Sequence, residues 1–357
     1  MNRYGKRIKL DIYGGSHDEK IGMILSGIPA GEAIDMDTLK AFMARRAPGN
    51  DPYSTSRKEP DEPVFLSGLD ENNVTTGEDI EAVIYNQNQR SGDYSSLADT
   101  PRPSHADFAA IMKYGKSVDL RGGGHFSGRL TAPMCIAGGI CLQMLARRSI
   151  YIGAHIYSVG TVYDRPFDAV NISKRDLDIL HYWKFPVLEG SAGAKMKSLI
   201  EHARSNGDSV GGIVECAVIG LPKGLGEHMF DSVESAISSI VFGIPAVKGI
   251  EFGAGFAASE MLGSENNDPF YVDGDEIKTR TNNAGGILGG MTSGMPLIFR
   301  AALKPTPSIA KEQDSVSLSR MENVKITVGG RHDPCIVPRA VPVFEAAAAL
   351  AIIDLMN

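Results

Sequence analysis

Basic charge is scarce in this chain. Its 357 residues carry 36 Lys and Arg against 43 Asp and Glu, a formal net charge of −7. General nucleic-acid binding needs a basic footprint, so that class is excluded and no nucleic-acid partner is expected. Cysteine is scarce too: Cys135, Cys141, Cys216 and Cys335 form no C-x-x-C pair. Neither a zinc site nor a disulfide framework is therefore suggested, and reduced thiols without a metal are the expectation. Long apolar runs are missing. The runs at 132–146 and 346–353 fall short of the roughly 20 residues a membrane-spanning helix needs. The opening "MNRYGKRIKLDIYGG" lacks the apolar stretch of a signal peptide. Together these absences predict a cytoplasmic protein with no membrane partner. No repeat, low-complexity tract or Pro/Ser-rich linker divides the sequence, so residues 1–357 are expected to form a single large domain.

What is present is an ordinary globular composition, 43% hydrophobic and 22% charged, enough to bury a sizeable core. Apolar periodicity predicts helices over 36–47, 131–149, 192–205, 232–242 and 341–356. The second and last are apolar almost all round, as helices buried on most sides are. Val- and Ile-rich stretches predict strands over 21–26, 80–85, 150–162, 212–220, 249–252, 297–302 and 325–328. Strands and helices do not alternate regularly, which favours an α+β fold of helices packed on antiparallel sheets over a doubly wound parallel sheet.

The 40 glycines concentrate in loops, most densely in "LRGGGHFSGR" (120–129). Three successive glycines weaken a helix or strand but let a backbone approach a ligand closely. Two nucleotide motifs fail on context. "AIMKYGKS" (110–117) follows a helical stretch, whereas a phosphate loop follows a strand. "GAGFAA" (253–258) lacks the crossover helix of a dinucleotide fold. Eight histidines are present. His155, His181, His202 and His228 sit in segments without functional signs and are expected to serve packing or the surface. His17, His105, His125 and His332 each lie near glycine or proline in a polar loop. Imidazole titrates closest to neutrality, which makes these four the candidates for proton transfer. Arg45, Arg46, Arg57, Arg102, Arg121, Arg129 and Arg331 fall in the same loops. Seven guanidinium groups there suggest a substrate with more than one anionic group, although Arg45 and Arg121 also suit surface salt bridges. Asp333 reads equally as a base or as a turn residue.

"RPSHADFAAIMKYG", "IPAVKGIEFGAGFAA", "GSENND", "NNAGGILGGMTSG", "KPTPSI" and "GRHDPCIVPRAVPVFEA" follow one another nearly end to end, and in this the chain resembles the chorismate synthase family. The resemblance implies a β-α-β sandwich, with helices between antiparallel sheets, and a homotetramer. It implies a 1,4-anti elimination of phosphate from 5-enolpyruvylshikimate 3-phosphate, giving chorismate with reduced FMN and no net redox change. By resemblance His17 protonates the departing phosphate, His105 protonates or stabilises the reduced flavin, and Asp333 assists removal of the ring proton. Substrate contacts carry over to Arg46, Arg57, Arg102, Arg129 and Arg331. FMN contacts carry over to His125, Phe126, Ser127, Pro245, Ala246, Gly289, Lys304, Pro305, Thr306, Pro307, Ser308 and Arg331. NADP is a further nucleotide associated with the family, and an external flavin reductant is expected because no reductase domain is visible.

Departures from the family pattern cluster in the glycine loop, where "GGGRSSAR" has become "GGGHFSGR". "GESHG" has become "GGSHD", and Ala47 and Pro52 replace arginines. These changes predict weaker flavin binding, with Phe126 either stacking on the isoalloxazine or narrowing the pocket. They also motivate the alternative of a repurposed or inactive paralogue binding flavin and a different phosphorylated ligand. A non-catalytic flavin- or anion-binding scaffold and a nicotinamide oxidoreductase are the remaining alternatives.

Overall fold

Period-two alternation is clearest in the strand Lys20–Ser26, where Ile21, Met23 and Leu25 share one face and none is exposed. The computed structural model describes residues 2–49, 53–55, 59–86, 99–115, 118–329 and 332–356. An N-terminal antiparallel sheet contains β1 (Asn2–Tyr4), β2 (Lys9–Tyr13), β3 (Lys20–Ser26), β4 (Val64–Ser67) and β5 (Ile80–Tyr85) in the order β1-β2-β3-β5-β4. Helix α1 (Met36–Arg46) lies between β3 and β4 in sequence, and Asp35 caps it by accepting from the Thr38 N–H. Then come α2 (Asp107–Tyr114), the glycine loop and α3 (Thr131–Arg147).

The second half begins with β6 (Tyr151–Val159), β7 (Val162–Tyr163), α4 (Lys174–His181), α5 (Gly190–Ser205), β8 (Gly212–Ile219), α6 (Val233–Val241), β9 (Val247–Phe252) and α7 (Gly263–Asn266). Two hairpins follow, β10 (Phe270–Asp273) with β11 (Glu276–Thr279) and β12 (Ile287–Leu288) with β13 (Met291–Thr292). After β14 (Leu297–Leu303) and the hairpin β15 (Gln313–Ser317)–β16 (Glu322–Ile326), the described chain ends in α8 (Val337–Met356). The second sheet is antiparallel in the order β7-β6-β8-β14-β9.

Helix α3 packs on β2, β3 and β5, α8 packs on β6 and β8, and the two helices pack on each other. One cluster of buried side chains runs through both sheets and the helices between them. This is the expected α+β sandwich. Gly138 makes the helix contact possible, since a Cβ there would overlap the Ala346 methyl. The apolar stretch through α3 reaches 20 residues, Gly128–Arg147, longer than the run read from sequence, and most of it is buried inside the protein.

Three boundaries differ from expectation by more than two residues. The predicted strand 150–162 is a hairpin, broken where Gly160 turns with φ +53° before β7 pairs back on β6. The strand placed at 325–328 is Glu322–Ile326, drawn back by pairing with β15. Helix α8 starts at Val337, four residues before the expected 341, and runs through Pro342. Pro338 falls in the first turn, where backbone N–H groups have no helical partner to lose, whereas Pro342 lies inside the helix and forgoes the bond to the Pro338 carbonyl.

Candidate active site

The layers leave a cleft of about 730 Å³ between the ends of the two sheets, within the range of small-molecule sites. Its walls come from segments far apart in sequence: Arg102–His105, the glycine loop through Arg129, Pro245–Lys248, Lys304 with Thr306–Ser308, and His332–Asp333.

The glycine loop is the floor of this arrangement. Gly122, Gly123 and Gly124 have φ of 56°, 92° and 50°, the left-handed region that strains any residue with a Cβ. A Cβ on Gly122 would overlap the His17 imidazole, and one on Gly123 would lie 3.5 Å from His105 Nε2. The loop thus fits between two histidines that are 88 positions apart, and its glycines first serve the protein's own side chains. His125 donates from Nδ1 to the Gly14 carbonyl at 2.9 Å, tying the loop to the segment carrying His17. Phe126 packs on a small cluster of Ala110, Ile111 and Leu120, with the Tyr114 ring 6.5 Å away, and contributes to the cleft wall. Ser127 accepts from the Arg129 N–H and caps the next turn.

Two buried carboxylates organise the arginines. Asp61, fully buried with φ +54°, receives Arg46 Nη1 at 2.5 Å and also Arg129 Nη1. Arg46 further donates to Thr131 Oγ1 and the Gly128 carbonyl. Arg129 donates to Asn86, and its Nη2 lies 3.9 Å from Glu59. Burial pushes the Asp61 carboxyl up, but the two guanidinium charges outweigh it and hold the group below the usual carboxylate range. Asp107, also fully buried, binds Arg102 through Nε and Nη2, each at 2.7 Å, and meets His105 Nδ1 at 2.6 Å. Arg102 Nη1 reaches Ser308 Oγ at 3.2 Å.

The opposite wall is stitched by the Lys304 N–H, which donates to the Ala246 carbonyl. Lys304 Nζ donates to the Ser104 carbonyl, and burial together with Lys248 lowers its pKa. Thr306 Oγ1 is buried with no hydrogen-bond partner among the described residues. Ser104 and Ala246 have φ of 58° and 74°, a conformation uncommon for residues with a side chain. Asp333 accepts from the Thr55 N–H at 2.7 Å and from Arg339 Nη1 at 2.6 Å. His332 donates from Nε2 to the Gly329 carbonyl, and burial lowers its pKa.

The chorismate synthase family model matches residues 8–356. The chain belongs to the chorismate synthase family. It is 44% identical to a chorismate synthase of Lancefieldella parvula, over 98% of this chain and 95% of that one. A chorismate synthase of Dehalococcoides mccartyi is 43% identical over 99% and 96%, and one of Thermococcus gammatolerans 42% over 98% and 96%. A crystal structure of chorismate synthase superposes with a TM-score of 0.76 at 25% identity, covering 99% of this chain and 92% of that one. The activity is that of a chorismate synthase, a carbon–oxygen lyase of the shikimate pathway and aromatic amino acid biosynthesis.

Among the residues singled out in sequence, the cleft gathers Arg46, Arg102, His105, His125–Ser127, Arg129, Pro245, Ala246, Lys304, Thr306–Ser308 and Asp333, with His17 behind Gly122. Pro305 belongs to the same loop without lining the cleft. Gly289 does not join them: it lies exposed in the β12–β13 turn, outside the cleft wall. Arg57, Arg331 and Pro52 lie outside the described residues. Arg45 is not a surface pair, because it is bidentate to the buried Glu345 of α8. Arg121 is one, paired with exposed Asp119. Sequence reasoning missed Asp61, Asp107, Lys248 and Arg339. The His-x-Asp spacing of His105 and Asp107 was the one readable signal among them. His155, assigned to packing or surface, proves fully buried between Asp164 and Glu215.

Proposed function

We propose that this cleft binds reduced FMN and 5-enolpyruvylshikimate 3-phosphate together and carries out the 1,4-anti elimination within a single-domain chain. The observation that carries this reading is the placement of His17 and His105 against the glycine loop, with Asp333 lining the same cleft. A flavin fits the donor set: Lys248 and Lys304 offer cationic partners for its phosphate, and the buried Thr306 hydroxyl is unsatisfied. The Pro245–Ala246 and Lys304–Ser308 segments and the loop at His125–Ser127 would hold it. Reduced FMN, when bound, supplies an electron-rich ring against which the elimination proceeds without net redox change.

His17 would give a proton to the leaving phosphate, and His105 would hold one beside the flavin. Asp333, ion-paired with Arg339, would accept the ring proton. Arg46, Arg102 and Arg129, fixed by buried carboxylates, would present preset positive charge to the substrate's anionic groups, with Arg57 and Arg331 in the same role. NADP and an external reductant would act outside this cleft to keep the flavin reduced. A homotetramer in the cytoplasm is the proposed working form. Exposed Phe256, Leu262, Phe270, Val272 and Ile277, at 59–81% of their full accessibility, support a self-association surface.

The test is anaerobic incubation with chemically reduced FMN and 5-enolpyruvylshikimate 3-phosphate, following chorismate and phosphate together. Equal appearance of both with flavin still reduced is the expected outcome. Neither product, with flavin bound, would sink the proposal. His17→Ala is expected to abolish turnover while leaving FMN binding intact, as read by flavin titration.

A further inference from the structure

Asp107 has no solvent exposure and receives four hydrogen bonds. Three come from Arg102, through its backbone N–H at 3.0 Å and its Nε and Nη2 at 2.7 Å, and one involves His105 Nδ1 at 2.6 Å. Arg102 Nη2 also lies 3.1 Å from His105 Nδ1. Two partners of opposite character therefore compete for this ring nitrogen: a carboxylate that only accepts and a guanidinium that only donates. A bare Nδ1 would set its lone pair against Asp107 Oδ1 at 2.6 Å. A protonated Nδ1 makes a short charge-assisted bond there, and Arg102 Nη2 keeps its own shorter bond to Oδ1. The geometry selects the second arrangement.

Nε2 is then the ring atom turned to the cleft, beside the position a Cβ on Gly123 would occupy, and the His105 side chain is 15% exposed. Lys304, whose Nζ holds the Ser104 carbonyl, and His332 are the other titratable groups facing this corner from separate elements. Both are potential cations, so the Asp107 carboxylate is the one anion touching the imidazole among the described residues.

We propose that Asp107 is a positioning residue that locks His105 in its Nδ1–H form, so that Nε2 alone gains and loses the proton exchanged in the cleft. The proposal rests on the reading of His105 as the proton-handling group beside the flavin. Arg102 keeps Asp107 ionised throughout, so Asp107 does not itself take up the proton; burial alone would raise its pKa, but Arg102 and His105 hold it well below the ordinary carboxylate value.

Selective ¹⁵N labelling of histidine in the full-length wild-type protein, with His105→Asn to assign the signal, reads the tautomer directly at alkaline pH. Nδ1–H is expected, and an Nε2–H form overturns the proposal. Asp107→Asn is expected to mix the tautomers and to lower kcat roughly 10²-fold, the scale of a mispositioned acid–base group, with substrate KM little changed. A folded Asp107→Asn protein with wild-type kcat, or one altered only in KM, also overturns it. Should that variant not fold, the wild-type tautomer still decides. Full turnover by His105→Asn would instead sink the reading of His105 itself, an outcome distinct from the wrong tautomer.

Discussion

Gly122, Gly123 and Gly124 show how a missing side chain creates a site. A Cβ on Gly122 would run into the His17 imidazole and one on Gly124 into the Asp119 carbonyl, whereas at Gly123 the φ of 92° alone favours glycine. The next two residues are where this chain departs from its family pattern, and the structure gives each a local role. His125 is bonded to Gly14, and Phe126 belongs to the cluster that seats α2. Phe126→Ser alone is therefore expected to lower stability by about 1–2 kcal/mol, a partly buried ring's share of the hydrophobic term, measured by urea unfolding. The double variant His125→Arg, Phe126→Ser is expected to bind reduced FMN more tightly than wild type in an anaerobic titration. Equal or weaker binding would refute the idea that these two exchanges weaken the flavin site. His17 and His105 were readable as candidates because glycine and proline punctuate the loops around them. Asp61 was not readable: nothing near "EPDEP" distinguishes it from a surface acid until Arg46 and Arg129 are seen to converge on it.

Elements carry a second layer of constraint. Helices α3 and α8 touch through Gly138 and Ala346, and a larger residue must part them. Gly138→Val is expected to cost about 3 kcal/mol, at the upper end for overpacking, and to depress Tm in a thermal melt without touching the cleft. In the second sheet, His155 of β6 is wedged between Asp164 and Glu215, and Arg300 of β14 completes the network by binding Glu215 at 2.8 Å. Burial lowers the His155 pKa, but the two carboxylates outweigh it and raise the group above its ordinary value. The raised value means this stabilisation is fully present below about pH 6.5, the unfolded imidazole value, and is lost as pH rises through the folded one. His155→Leu leaves buried Asp164 without its cationic partner and Glu215 with Arg300 alone, and is expected to cost about 3–5 kcal/mol. The difference from wild type, followed by urea unfolding, should shrink at alkaline pH. A pH-independent difference would show that His155 is neutral.

At the scale of the whole molecule, the cleft exists because two sheets and the helices between them bring their loops to one end. Two buried carboxylates tie that end together, Asp61 held below the carboxylate range by Arg46 and Arg129 and Asp107 by Arg102 and His105. A depressed pKa contributes stability above the unfolded value of about 3.9, lost as pH falls through the folded one. The urea midpoint is accordingly expected to fall progressively as pH drops below about 4, and Asp61→Asn should flatten that slope. An unchanged slope in the variant would mean that Asp61 is not ionised in the folded protein.

The longer helices, about half of the strands, the α+β class and the loops that carry the chemistry were determined by the sequence alone, because periodicity and turn residues act over a few neighbours. The long motifs identified the family for the same reason, being read without knowing what they touch. Where the expectations slipped, pairing partners had moved a boundary, as β15 does to β16. Only the tertiary structure decided which charge meets which. Arg46 and Arg129 reach Asp61 across 15 and 68 positions, and Arg45 reaches Glu345 across 300. Such pairings leave no period in a sequence. They arise because a buried charge is costly without an opposite one, and only the packed fold determines which opposite charge lies within reach.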